Sequence, residues 1–233
     1  MAFLFGGLPL SQSGSSTYSR LYVDEVAGSD TNSGLEQATA FATLTAAAAV
    51  ASSRTAIYAA SGTYRNPGFG QGGGGNNAAM ALQDVNHILL ANLPGHYPRI
   101  EFDGSSGISA RNVSQFEIRG FEVAGPSEGQ ASRLGQAPRH SSARGIDISG
   151  SERLIIHNNV IHGTPGSAIQ VAGSDYCTIE NNVIFNSTWW PSSTESAIVL
   201  AESRCDERFG KGRFRRCQGL RWRRGVSGCL GLR

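Results

Sequence analysis

The chain has 233 residues, enough for one well-buried core or two small ones. Thirty glycines and 8% aromatics argue against a bulky helical core and point to tight turns with slim aliphatic packing. The net charge of +2 hides an asymmetry: residues 1–201 carry ten Arg, no Lys and fifteen acids, for −5, whereas 202–233 carry nine Arg, Lys211 and three acids, for +7.

In chain order, the opening MAFLFGGLPL is apolar but lacks a basic n-region and is short, so residues 1–20 read as a leader, at most a clipped signal peptide. No run of eighteen apolar residues follows, so no helical membrane span is expected. Leu21-Tyr22-Val23 reads as a short strand, and Gly28–Gly34 (GSDTNSG) as a turn. Asp30–Gly34 has the first half of a calcium-loop pattern but not the rest, which leaves it a turn. Phe41–Ser53 is alanine-rich and predicts a helix, with Thr39 or Thr43 as its cap. Thr55–Arg65 reads as strand, turn, strand, completing a unit over 21–66. Gly68–Asn77 is too glycine-rich to pack.

Repeats begin downstream. The segments 107–123 (GISARNVSQFEIRGFEV), 145–161 (GIDISGSERLIIHNNVI) and 168–184 (AIQVAGSDYCTIENNVI) align without a gap, and a fourth copy opens at 197–203 (AIVLAES). Apolar columns run through them: Ile108, Ile146, Ile169 and Ile198; Ala110, Ile148, Val171 and Leu200; Ile118, Ile156 and Ile179. A half-copy at 87–93 sets Ile88, Leu90 and Asn92 over Phe116, Ile118 and Gly120. Each copy holds short alternating strands that cannot bury their apolar face alone. Stacked at about 4.8 Å, the copies make one continuous core. The expected fold is therefore all-β: a right-handed parallel β-helix over 67–201, capped at its N-terminus by the helix. Asn158-Asn159 and Asn181-Asn182 fall at a bend, where asparagine tolerates the left-handed conformation and can stack as a hydrogen-bonded ladder; sugar-binding amides are the functional alternative.

The tail departs from this register. Positions 206 and 208 should be apolar and 210–211 asparagine-like, but the chain supplies Asp206, Arg208, Gly210 and Lys211. Nine arginines with one lysine is what a GC-rich frame yields when read out of phase, so 202–233 is expected to be foreign to the repeat and disordered. A basic nucleic-acid-binding tail is the alternative, but Phe209, Phe214 and Trp222 supply too few aromatics for it. Cys205, Cys217 and Cys229 are too widely spaced for the usual zinc-binding pairs, and Cys177 lies far from them in sequence, so no metal site is expected.

The stretch YVDEVAGSDTNSG…AFATLTAAAAVA…AIYAASGTYR, with the IIHNNVIH and TIENNVIF segments, resembles the right-handed parallel β-helix proteins of the pectate-lyase-like group over Leu21 to about Ala201. That group includes lyases, hydrolases, epimerases and non-enzymatic proteins. The resemblance implies a secreted, extracellular, monomeric carbohydrate-active protein whose partner is a polysaccharide, with no nucleic acid or membrane involved; the alternative is a non-catalytic surface or binding repeat protein. It also implies a substrate groove on the outer face of each copy's first strand. Alternation turns Asp147, Gln170 and Val199 outward there. The loops walling that face are 126–142, with Arg133, Arg139 and His140; 162–167, with His162; and 186–195, with Trp189, Trp190 and Glu195.

Adjacent tryptophans suit sugar stacking; the structural alternative is that one of them plugs the loop against the coil below. A uronate lyase needs a charge neutraliser and a base. Members of the group often use Ca²⁺ with lysine or arginine; with no lysine in the body, this role falls to Arg144, Arg139 or Arg133, or the true base lies in coils that are missing. A hydrolase needs two carboxylates, for which Asp147 and Glu195 are the nearby pair. His162 is a candidate acid/base, and Gln170 and Arg139 are candidate substrate contacts. Asn112-Val-Ser114 and Asn186-Ser-Thr188 are glycosylation sequons, meaningful in a secreted eukaryotic chain.

Overall fold

The computed structural model describes residues 18–70, 77–126, 142–190 and 196–203. Three parallel sheets run the length of this region. The first holds β4 (Ala78–Gln83), β7 (Ser106–Arg111), β10 (Arg144–Ser149), β13 (Ile169–Ala172) and β16 (Ile198–Ala201). The second holds β1 (Ser19–Val23), β2 (Thr55–Ala59), β5 (Asn86–Asn92), β8 (Ser114–Arg119), β11 (Glu152–His157) and β14 (Asp175–Glu180). The third holds β3 (Gly62–Arg65), β6 (Pro98–Glu101), β9 (Glu122–Ala124), β12 (Val160–His162) and β15 (Val183–Phe185). The chain visits the sheets in the order first, second, third, so each circuit is one coil of a parallel β-helix.

The register is the one read from the sequence. Ile146 pairs with Ile108 on one side and Ile169 on the other, and Ile169 pairs with Ile198. On the second sheet Ile156 lies between Ile118 and Ile179, and Ile88 and Leu90 pair with Phe116 and Ile118. Ile108, Ile118, Ile146, Ile156 and Ile169 are fully buried, each contributing about 1.5–3 kcal/mol by the transfer of its side chain from water. Phe102, Phe116 and Phe121 are the largest of the fully buried side chains.

Helix α1 (Leu44–Val50) precedes β2 where a first-sheet strand would otherwise stand, and it packs on β4. It buries Leu44 and Ala47, and Thr45 Oγ1 donates to the carbonyl of Ala79. Thr43 caps it by accepting from Ala46 N at 3.1 Å. The helix stops before Ser53, earlier than its alanine content predicts, because Ser52 and Thr55 form a local turn: Thr55 Oγ1 donates to Ser52 O at 2.7 Å. The Gly28–Gly34 turn clamps this cap, since the Asp30 carboxylate accepts from Ala42 N, Thr43 N and Thr43 Oγ1 at 2.8–3.0 Å.

Each asparagine pair divides its labour. Asn158 and Asn181 take positive φ (55° and 53°) and turn the chain, while Asn159 and Asn182 point inward and form the ladder. Asn159 Oδ1 accepts from Phe121 N, and its Nδ2 donates to Ile118 O and to Asn182 Oδ1. Asn182 Nδ2 donates in turn to Ile156 O. In the preceding coil the same two positions hold Gly120 (φ 78°) and Phe121. A Cβ on Gly120 would sit 2.1 Å from Asn92 Oδ1, so both the backbone and the neighbour require glycine there.

A second ladder lies at the corner between the first and second sheets. Val113 N donates to Ser151 Oγ, Ser151 N to Ser174 Oγ, and Ser174 N to Ser203 Oγ, all at 3.0–3.1 Å. The fourth copy thus keeps the repeat's register through Ser203; residues 1–17 and 204–233 lie outside the described residues.

Candidate functional site

On the outer face of the first sheet, Asp147 lies in register between Ser109 and Gln170, and Gln170 in register with Val199. Strict alternation would turn Arg144 inward, but it does not hold at this corner. A Cβ on Gly145 would meet Ile161 Cγ2 and Ala168 O, both at 2.6 Å, so position 145 faces the core together with Ile146. This break returns Arg144 to the outer face, where its Nη1 lies 3.5 Å from Asp147 Oδ2. Arg144, a candidate for the lyase role, and Asp147, a candidate hydrolase carboxylate, are therefore an ion pair, with side chains 23% and 28% exposed. Arg111, in register with Ser149, is the other charged side chain on this face among the described residues.

His162 belongs to a different face. It ends β12 on the third sheet, where its Nε2 lies 2.9 Å from Glu122 Oε1 and its ring stacks on Phe185 at 4.7 Å and 7°. Glu122 also takes Arg99, which bridges to Glu101, and Glu101 pairs with Arg65 at 2.8 Å. The third sheet thus carries a run of alternating charges that ends at an imidazole on an aromatic ring.

Trp189 and Trp190 lie at the corner between these two faces. Both are half-buried. The indole Nε1 of Trp189 donates to Gly163 O of the preceding coil at 3.0 Å, and Thr188 N is held by the carbonyls of Thr164 and Gly166. Trp190 meets Trp189 edge-on at 6.1 Å. Trp189 is thus anchored to the coil below, with Trp190 edge-on against it. Arg133, Arg139, His140 and Glu195 lie outside the described residues.

On the second sheet, His157 is in register with Glu180, but its ring turns to the opposite neighbour: Nε2 lies 3.1 Å from Glu117 Oε1, and Nδ1 lies 2.9 Å from Asn158 Nδ2. That hydrogen bond holds the Glu117 carboxyl below the usual carboxylate range, helped by Arg119 and opposed by burial. With both ring nitrogens engaged, His157 is a ladder element.

The sequence profile described as the right handed beta helix region matches residues 86–226, more than half of the chain. The chain belongs to the right-handed β-helix family. No curated protein matches this β-helix chain at a significant level. Among solved structures it is similar to a rhamnogalacturonan lyase, at 17% identity and a TM-score of 0.41 over 80% of this chain. The chain spans 51% of that structure's length. Membership in the β-helix family establishes the fold, and activity is a matter for the site.

Chemically, the first-sheet strands of this β-helix offer one carboxylate among the described residues, already paired with a guanidinium. Calcium takes about six to eight oxygen ligands, and the described residues contain no group of three or more His, Cys, Asp or Glu able to hold a metal. Sequence reasoning missed Phe185, Glu122 and the serine ladder. Ser151, Ser174 and Ser203 recur at the steps of the apolar columns, so that signal was available. The three-residue strands of the third sheet are too short to show a period.

Proposed function

We propose that this protein is a secreted, extracellular, glycan-binding β-helix that holds an acidic polysaccharide along the first-sheet face without turning it over. The observation that carries this reading is the Trp189–Trp190 pair, fixed through Gly163 at the corner bordering that face. Rigid indoles offer sugar-ring stacking at low entropic cost. Arg111 supplies positive charge on the same face, and Gln170 beside Asp147 supplies an amide for hydroxyl contacts. Absence of turnover follows from the pairing of Asp147 with Arg144: a base held by its own charge stabiliser is poorly placed to take a proton from a sugar carbon. If coils beyond the described residues add a free base, the same face would serve a polysaccharide lyase, which is the second reading.

Titration calorimetry and ultraviolet detection of unsaturated products, with oligogalacturonate and oligoalginate, test both readings. Binding is expected to weaken with added salt, to be lost in the Trp189→Ala/Trp190→Ala double variant, and to release no unsaturated ends. Product release abolished by Asp147→Ala or Arg144→Ala would replace the binding reading with the lyase. Binding that survives loss of both tryptophans would remove the stacking argument.

A further inference from the structure

The third sheet carries a surface that the first-sheet reading does not use. Across its outer face, Arg65, Glu101, Arg99, Glu122 and His162 are joined in sequence by ion pairs and a hydrogen bond, so each charge already has its partner. Beyond His162 the face becomes apolar: Val160, Val183 and Phe185 are 37%, 57% and 44% exposed on two adjacent strands. An exposed apolar patch rimmed by polar groups marks an interaction site. Its rim here is His162, bonded through Nε2 to Glu122, and the Glu122 carboxylate itself, 38% exposed.

The chemistry of the occupant follows from this layout. An ionic ligand would gain no free counter-charge on this face, because the two guanidinium groups are matched by two carboxylates. A second copy of the chain would need roughly 800 Å² on each side for a stable interface. Three part-exposed side chains fall short of that. A pyranose has a flat C–H face for Phe185 and Val183 and hydroxyls around its edge for the polar rim. We propose that the third-sheet face, centred on Phe185 and His162, is a second glycan site specific for an uncharged sugar. It goes beyond the acidic-polysaccharide reading and stands without it, since the two faces share no residue.

The test uses the full chain. A printed array of neutral and uronate oligosaccharides identifies binders, and imidazole carbon–proton NMR follows titration with the best neutral one, the His162 signal being assigned through His162→Gln. The expected result is a neutral oligosaccharide that shifts the His162 resonance and whose Kd rises about tenfold in Phe185→Ala. Phe185→Leu keeps the apolar bulk, so it should fold as the parent does yet bind as poorly as Phe185→Ala. Arg144→Ala and added salt should leave neutral binding unchanged while weakening uronate binding. The proposal is overturned if no neutral oligosaccharide shifts His162, if Phe185→Leu binds like the parent, or if neutral binding falls with Arg144→Ala.

Discussion

Replacing Asn159 by alanine removes the centre of the asparagine ladder and should be among the costliest single changes in the coils. Asn159 is 1% exposed, and its amide serves three partners: Phe121 N at 3.1 Å, Ile118 O at 3.1 Å and Asn182 Oδ1 at 3.0 Å. Asn182 Oδ1 keeps a partner in Asn159 N, but the Phe121 N–H is left buried without an acceptor. Each bond lost costs about 1 kcal/mol, and an orphaned buried donor adds about 1–3 kcal/mol, for a loss of roughly 4 kcal/mol. With a urea dependence near the upper end for single domains, about 3 kcal/mol per molar, the unfolding midpoint should fall by about 1.3 M. Far-UV circular dichroism in a urea series measures it. The adjacent Asn158 provides the control: its φ of 55° is served at least as well by glycine, so Asn158→Gly should leave the midpoint unmoved. Equal effects at the two positions, or a loss below about 1 kcal/mol at Asn159, would refute the division of labour within the pair.

Two further substitutions probe the corner and the second sheet. Gly145→Ala drives a methyl to 2.6 Å from both Ile161 Cγ2 and Ala168 O, an overpacking worth about 1–3 kcal/mol; a melting temperature equal to the parent's would show that this corner gives way freely. Glu117, whose folded carboxyl titrates low because His157 bonds it, contributes stability that is present above the ordinary carboxylate range and lost as pH falls through its lowered folded value. Glu117→Gln should therefore flatten the fall in melting temperature between about pH 5 and pH 3, and an unchanged slope would show that the bond to His157 carries no stability.

The isoleucine columns were legible because burial imposes a period of two on every strand, and gap-free alignment of three copies fixes which residues stack. The asparagine pairs were legible as a bend with a ladder, yet not as two different roles. Which asparagine turns left-handed depends on the amide in the next coil, a contact between residues 23 positions apart in sequence. The outward column Asp147, Gln170, Val199 followed from alternation alone. Arg144 did not, since its direction rests on a local break that only the packing of Gly145 against Ile161 and Ala168 reveals. His162 reads as a loop residue beside the first-sheet face, because nothing in its neighbours marks β12 as continuing through it onto another face.

The distribution of loop lengths says where this fold can vary. At the corner between the first and second sheets, every described connection is the same two-residue step: 84–85, 112–113, 150–151 and 173–174. The corner between the second and third sheets has a two-residue step at 60–61, 120–121, 158–159 and 181–182 and lengthens once, to 93–97. The two-residue steps are pinned by what they hold, a serine ladder at one corner and an asparagine ladder at the other. The third corner bears no such ladder among the described residues, and its connections run from 102–105 to 125–143, 163–168 and 186–197. The longest insertions are therefore found along one edge of the helix, between the third and first sheets. Binding chemistry gathers on variable loops held by a rigid scaffold, and Trp189 and Trp190 lie on one of these. Both candidate faces border this edge, the Arg144–Asp147 pair on one side and the His162–Phe185 stack on the other. The proposed binding chemistry thus sits beside the corner whose loops vary most in length.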